Sequence, residues 1–270
     1  MILRFEMKAL KEIYDYREMI HSLVRKELRG RYKGSALGFL WTFINPLLQL
    51  LVYTLVFSVI MRAGIDQYYI FLFVALVPWM FFSSALTGGA SCVITSQDMV
   101  KKIYFPREVL PIAYVNSSFV NMLLTFVVVF VVLIVSGFGI NPYALLFMPI
   151  VMVVEYFLAL GIALLASALS VYFRDLQYIL GIVAMAWQFL TPVMYSQEMV
   201  EEQLVSHPVL LEIWNLNPTT PLINAYRDIL YYKQAPQLST LVSGTILGLT
   251  VCIVGYLVFR KLQKGFAEEL

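Results

Sequence analysis

The chain has 270 residues, 60% of them hydrophobic and 13% charged, with a mean hydropathy of +0.79 and a net charge of +2. A soluble domain is about 45–50% apolar and about 25% charged, so these values exclude a water-facing globule and require an apolar surface. Cys92 and Cys252 lie inside apolar runs with neither metal spacing nor a disulfide framework, and read as small hydrophobes.

The first 34 residues carry nine Lys and Arg before any long apolar run, which is not the pattern of a cleaved signal. Residues 3–21 place Leu3, Met7, Leu10, Ile13/Tyr14, Arg17 and Ile20 at steps of three or four, which predicts an amphipathic helix with a basic face lying in the inner membrane interface. The alternative is an ordinary solvated helix. Next comes the basic run Arg25, Lys26, Arg29, Arg31 and Lys33, set directly against the start of an apolar segment. Such a cluster holds anionic headgroups at about 1 kcal/mol per basic residue near the surface, or anchors the first span by charge alone.

Six segments are expected to span a hydrocarbon core of about 30 Å, near 36–61, 68–95, 109–135, 143–171, 178–195 and 238–259. With the N-terminus inside, sixteen of the nineteen Lys and Arg fall in inner segments, against Arg62, Arg227 and Lys233 outside. Basic loops stay cytoplasmic, so both termini are expected in the cytoplasm. The fold class is therefore an all-α integral membrane protein, divided into a cytoplasmic arm (1–34) and a transmembrane domain (35–270). Residues 196–236 contain Pro208, Pro218, Pro221 and Pro236 around an apolar stretch too short to span, which suits an outer re-entrant or interfacial helical segment.

In the first span Phe39, Phe43, Pro46, Leu50, Tyr53 and Phe57 recur at steps of four and three, beside a more polar stripe of Trp41, Asn45 and Gln49. Polar side chains at membrane depth face a bundle or a wet cavity, and aromatic stripes also arise from helix packing alone. The inner link Gln97–Pro111 holds Gln97, Asp98, Met99, Val100, Ile103, Tyr104, Phe105 and Arg107, an apolar turn suited to docking a soluble partner. The other inner loop reads Tyr172-Phe173-Arg174-Asp175-Leu176, and Asn217-Pro218-Thr219-Thr220-Pro221 opens a passage before the last span.

No G-x-x-x-x-G-K-[ST], H-E-x-x-H, C-x-x-C or G-x-S-x-G occurs, so phosphate-cradling, metalloprotease, redox and hydrolase chemistry lack their motifs. Glu155 is the single acidic residue placed mid-span, a thin relay for an ion-gradient-driven flippase, which is the competing reading. A membrane-bound transferase using Asp228 or Glu155 is a third reading, weakened by the absence of a carboxylate pair.

The four passages beginning at Arg29, Gln97, Tyr172 and Asn217, in this order within a six-span pattern, resemble the permease subunits of ABC-2 type exporters, in the branch that moves lipid-linked cell-surface polysaccharides. The resemblance implies a homodimer in the bacterial cytoplasmic membrane bound to two ATP-binding subunits, with ATP and Mg on those partners and no cofactor, metal or catalytic residue on this chain. It implies that Gln97 to Arg107 form the coupling element, that Arg174 and Asp175 make a secondary contact, and that the basic run meets a polyprenyl-diphosphate-linked polymer. Phe39 to Phe57, with Trp41, Asn45 and Gln49, would line the path. Wall teichoic acid is the expected cargo, with O-antigen or capsular polysaccharide as the alternative, and nucleic acid has no place in the reading.

Overall fold

Lipid offers no hydrogen-bond partners to a backbone, so a chain of this composition must close its hydrogen bonds within helices. In the computed structural model, which describes residues 11–31, 33–62 and 64–270, the described residues form helices, turns and loops without strands. The helices are α1 (Arg17–Gly30), α2 (Trp41–Thr54, entered through a 3-10 turn and extended by a π turn, Leu55–Ile60), α3 (Tyr68–Thr95), α4 (Gln97–Lys102), α5 (Val109–Val135), α6 (Pro142–Leu145), α7 (Met148–Tyr172), α8 (Leu176–Leu190), α9 (Gln197–Leu204), α10 (Pro208–Asn215), α11 (Thr220–Leu230), α12 (Leu238–Leu262) and α13 (Phe266–Glu269).

Five segments are long and apolar enough to cross a membrane: Gly38–Ile60, Tyr68–Thr95, Val109–Val135, Pro142–Tyr172 and Leu238–Glu269. The sixth expected span, 178–195, is the 15-residue helix α8. At 1.5 Å per residue it reaches about 22 Å. It stops at Leu190 because Pro192 forces the preceding residue out of the helical region, and Thr191 is extended (φ −106°, ψ 139°). The amphipathic helix also differs from its expected bounds. Residues 11–15 and α1 are helical, so the helix runs beyond residue 21 and carries Arg25, Lys26 and Arg29, while the start of the predicted stretch lies outside the described residues.

Small residues set the packing. α7 lies between α3 and α12, with Ala159, Ala163, Ser167 and Ser170 all fully buried. A Cβ built on Gly255 would stand 2.1 Å from the Gly161 carbonyl oxygen, and one on Gly161 would meet the Cys252 backbone at 2.5 Å. On the other side a Cβ on Gly89 would come within 2.8 Å of the Ala163 Cβ. Close backbone approach of this kind is how helices associate in lipid, where no hydrophobic difference drives them together. The small-residue face of α7 therefore meets neighbours within the subunit.

α3 is apolar on every side, and most of it is buried from Tyr68 to Val93. α2 lies at the edge and buries only Thr42, Pro46 and Leu50. Gly255→Ala forces α12 away from α7, and overpacking of this kind costs about 1–3 kcal/mol. The expected result is a lower thermal midpoint in nanodiscs, larger for Gly255→Leu, with Gly181→Ala, whose added Cβ would meet nothing within 4 Å, as the control.

Candidate functional sites at the two ends of the bundle

One end of the bundle is closed by a second apolar cluster, in which Val100 and Phe105 from the 96–108 link meet Val171, Phe259 and Phe266. Tyr16, Met19, Ile20 and Leu23 of the arm pack against the same cluster. Polar contacts fasten it. The Arg107 guanidinium donates to the Gln263 carbonyl, Gln263 Nε2 donates to Glu108 Oε1 at 2.7 Å, and the Tyr172 hydroxyl donates to the Leu262 carbonyl at 2.8 Å. The arm, the link, the Tyr172 turn and the C-terminal segment thus share one end.

The predicted docking residues divide into two groups here. Val100 and Phe105 are core, Met99 and Arg107 are half-buried, and Gln97, Asp98, Ile103 and Tyr104 are exposed. Tyr104 is 85% exposed and Ile103 58%, beside a link whose other apolar members are folded away. Arg174 and Asp175 are exposed as well, next to exposed Phe173 and Tyr178. Phe173 belongs to the passage read in the sequence without a role of its own, and Tyr178 lies outside it. An apolar residue flanking a charged turn gives no signal until its own helix is seen to leave it unburied.

On the arm, Tyr16, Met19/Ile20, Leu23/Val24, Glu27/Leu28 and Arg31 form the half-buried stripe, and α1 packs against α5. Arg25, Lys26, Arg29 and Lys33 are exposed. Arg31 instead reaches Ser118 Oγ at 3.0 Å, and Ser118 continues to Ser84 Oγ at 3.2 Å and on to the Tyr114 hydroxyl at 3.4 Å. A Cβ on Gly88 would fall 1.7 Å from that hydroxyl, so Gly88 makes room for the Tyr114 ring. The basic run is thereby split into exposed cations and one that is tied into the spans.

The predicted path residues on α2 also diverge. Tyr53 and Phe57 pack on the core, Phe57 stacking with Tyr68 at 6.3 Å, while Phe39 is exposed and meets Phe43 edge-on at 5.4 Å. Trp41 donates to Ser35 Oγ at 2.9 Å, and Gln49 donates to Asn45 Oδ1 at 3.4 Å.

At the opposite end α11 is the organising element. Its face of Leu222, Ile223, Tyr226, Ile229 and Leu230 enters the core, whereas Asn224, Arg227 and Asp228 share the other face at steps of three and four. Tyr226 donates to Glu155 Oε2 at 2.6 Å, so the acid within the spans is held by a phenol from a helix outside them. Arg227 is 2% exposed and donates to the Val193 carbonyl at 2.7 Å and the Tyr195 carbonyl at 3.0 Å, with its guanidinium 3.7 Å above the Phe71 ring. Desolvation lowers its pKa to about 9, still above neutral, so the buried cation persists.

Asn217 ties the same end together. Its Oδ1 accepts from Trp187 Nε1 at 3.0 Å and from the Thr219 hydroxyl at 2.7 Å, and its Nδ2 donates to the Leu190 carbonyl at 3.0 Å, satisfying the end of α8. Asn224 donates to Gln197, joining α11 to α9. A polar cavity of about 300 Å³ lies between α9, α11 and the start of α12, lined by Glu198, Asn224, Asp228, Tyr232 and Thr240 among others. Arg227→Lys keeps the charge but cannot span both carbonyls while stacking on Phe71. Hydrogen bonds to charged groups are worth about 1.5–3 kcal/mol, so the variant is expected to lower stability by about that amount and to speed hydrogen exchange across 191–237.

The ABC-2 type transporter family pattern matches residues 18–231. Over 98% of its length the chain is 34% identical to the O-antigen export system permease protein RfbA of Myxococcus xanthus, covering all of that protein. It is 30% identical to the protein of the same name from Klebsiella pneumoniae, over 94% of this chain and 95% of the relative. With the polysialic acid transport protein KpsM of Escherichia coli it shares 22% identity over 91% of this chain and 94% of that protein.

Proposed function

This chain belongs to the ABC-2 type transporter family, and we propose that it is the transmembrane permease of an ATP-driven exporter for an O-antigen-type cell-surface polysaccharide. The observation that carries the reading is the end-to-end similarity to permeases named for O-antigen export, at 34% and 30% identity. Wall teichoic acid, the cargo expected from the sequence, gives way to O-antigen on the same ground. The flippase alternative rested on Glu155, and Tyr226 holds that acid in a hydrogen bond within the core.

In this reading two copies of the chain pair in the bacterial cytoplasmic membrane and bind two ATP-binding subunits, which carry ATP and Mg. Both termini face the cytoplasm, and the arm (1–34) serves the transmembrane domain (35–270) as an interfacial docking element. α8 completes a sixth crossing together with the buried stretch Thr191–Met194, and 196–236 forms the outer interfacial cap. Supporting this layout, the arm, the link, the Tyr172 turn and the C-terminal segment gather at one end, as alternate crossings require.

Coupling passes through Ile103 and Tyr104, with Arg174 and Asp175 exposed on the Tyr172 turn at the same end, while Val100 and Phe105 root the link in the bundle. A push on the link would reach α12 and α7 through Phe105, Phe259 and Val171, which suits a two-state repacking of spans. Docking surfaces draw most of their energy from a few apolar anchors, about 2 kcal/mol or more each. Ile103→Asp with Tyr104→Asp is expected to reduce copurification of the ATP-binding subunit at least tenfold without unfolding the permease. Phe105→Asp should instead destabilise the permease itself. Normal assembly of the double variant would remove the coupling assignment.

Arg25, Lys26, Arg29 and Lys33 form the exposed cationic face that receives the diphosphate, and Arg31 marks where it turns inward toward Ser118. A guanidinium grips phosphate oxygens in bidentate fashion and an ammonium does not. Arg29→Lys with Arg31→Lys preserves every charge, so insertion and assembly should persist. ATP hydrolysis stimulated by polyprenyl-diphosphate-linked saccharide is expected to fall at least tenfold, and equal stimulation in variant and parent would reduce the cluster to a membrane anchor.

A further inference from the structure

The cavity at the α11 end differs in chemistry from everything at the arm end. Of the groups that line it, Glu198, Glu201 and Asp228 are acidic and Arg227 alone is basic; the remainder are amides, hydroxyls and Tyr232. The one cation is already committed, since two of its nitrogens serve backbone carbonyls and its face lies on Phe71. Its Nε, in contrast, has no acceptor among the described residues. An anion approaching this cavity would meet three carboxylates and a single guanidinium, two of whose nitrogens are already bonded to carbonyls.

The walls are fixed before any ligand arrives. Asn224 is bonded to Gln197, Gln197 donates to Glu201 Oε1 at 2.6 Å, and Gln234 donates to Asp228 Oδ1 at 3.3 Å. Burial raises the Asp228 pKa, with the Gln234 bond opposing that shift. Glu198, by contrast, is exposed and has no hydrogen-bond partner among the described residues, while the Tyr232 ring is 45% exposed beside it. Carboxylates accept hydrogen bonds from hydroxyls, side-chain amides both donate and accept, and an aromatic ring offers a flat apolar face. A volume of about 300 Å³ lies at the lower end of the range of small-ligand sites, about 300–1,000 Å³.

We propose that this cavity binds an uncharged, hydroxyl-rich saccharide unit and disfavours anionic ones, so that the exported polymer is neutral along its repeat. The inference rests on the export reading and narrows its substrate class. The chain also has 22% identity to a protein named for polysialic acid transport, an anionic polymer, so the cavity makes a distinction that the similarity alone leaves open.

The test uses the full chain in nanodiscs of zwitterionic lipid, without the ATP-binding subunit, titrated with two probes of equal length. One is a neutral mannose oligosaccharide and the other is oligomeric sialic acid, both followed by saturation-transfer NMR. The neutral probe is expected to bind at least tenfold more tightly than the anionic one. Thr240→Trp, which fills the cavity, should abolish that binding. Glu198→Gln, at an exposed position where folding is not at stake, should narrow the neutral-to-anionic ratio at least threefold. Equal binding of both probes to the parent, or neutral binding that survives both variants, would overturn the proposal. Failure of the permease to assemble with its ATP-binding subunit would count against export while leaving this titration intact, so the two readings fail separately.

Discussion

Two backbone contacts in α7 set the geometry of both ends. Gly255 lies against the Gly161 carbonyl, and Gly89 lies against Ala163, so α12 and α3 approach α7 with almost no side chain between them. In lipid this approach replaces the hydrophobic driving force that a soluble bundle would use, because tails and leucines are equivalent solvents for one another. With the three helices locked, the link after α3 and the segment after α12 must emerge side by side. That is where Phe105, Phe259 and Phe266 meet, and where Arg107 finds the Gln263 carbonyl. At the other end, the tops of α3 and α7 leave room for α11, and Tyr226 fills it with its hydroxyl on Glu155 and its ring stacked on Phe126 at 5.5 Å.

Much of this was legible in the sequence, for a simple reason. Long apolar runs obey the membrane's thickness, which is a property of the solvent and not of the fold. Hence 68–95 and 109–135 match their helices residue for residue. The early end of the helix within 178–195 has an equally local origin. Hydropathy counts Thr191-Pro192-Val193-Met194 as apolar, while the extended Thr191 ahead of Pro192 ends the helix. The arm was cut short at residue 21 because its later turns alternate cations with Leu23, Val24 and Leu28. Only the contact with α5 identifies those as one half-buried stripe.

The candidate site residues were legible as regions and not as individuals. Met99, Val100, Ile103, Tyr104 and Phe105 are interchangeable as letters in an apolar turn. Whether one of them is an anchor or an exposed knob depends on what the C-terminal segment brings to the same end, more than 150 positions away in sequence. The aromatic stripe of α2 separates in the same manner, with Phe57 stacked on Tyr68 and Tyr53 packed against the core while Phe39 stays out. Arg227 gave the weakest signal of all. It read as one of three outer basic residues, yet a guanidinium bonded to the carbonyls of Val193 and Tyr195 is what fixes the irregular stretch after α8. Its carbonyl partners carry no sequence information, since every residue has one.

Charge is distributed unevenly between the two ends, and on the export reading this distribution has a direction. The arm end carries Arg25, Lys26, Arg29 and Lys33 as exposed cations, with Lys101 and Lys102 exposed on the neighbouring link. The opposite end carries Asp66, Glu198, Glu201, Glu202, Glu212 and Asp228 against Arg62, Arg227 and Lys233; Arg227 is buried, Lys233 donates to the Phe138 carbonyl at 2.5 Å and lies 3.9 Å from its ring, and Arg62 is exposed. On that reading a lipid-linked diphosphate would be attracted where it loads and would meet more carboxylates than cations where it leaves. Surface attraction of this kind fades beyond a Debye length of about 8–10 Å, so neither end pulls the substrate through. It acts only at the two terminal steps, favouring capture at one and release at the other. On that reading the energy for passage between them comes from ATP on the partner subunits and is delivered through repacking of the spans, the helices that meet at Gly161 and Gly255.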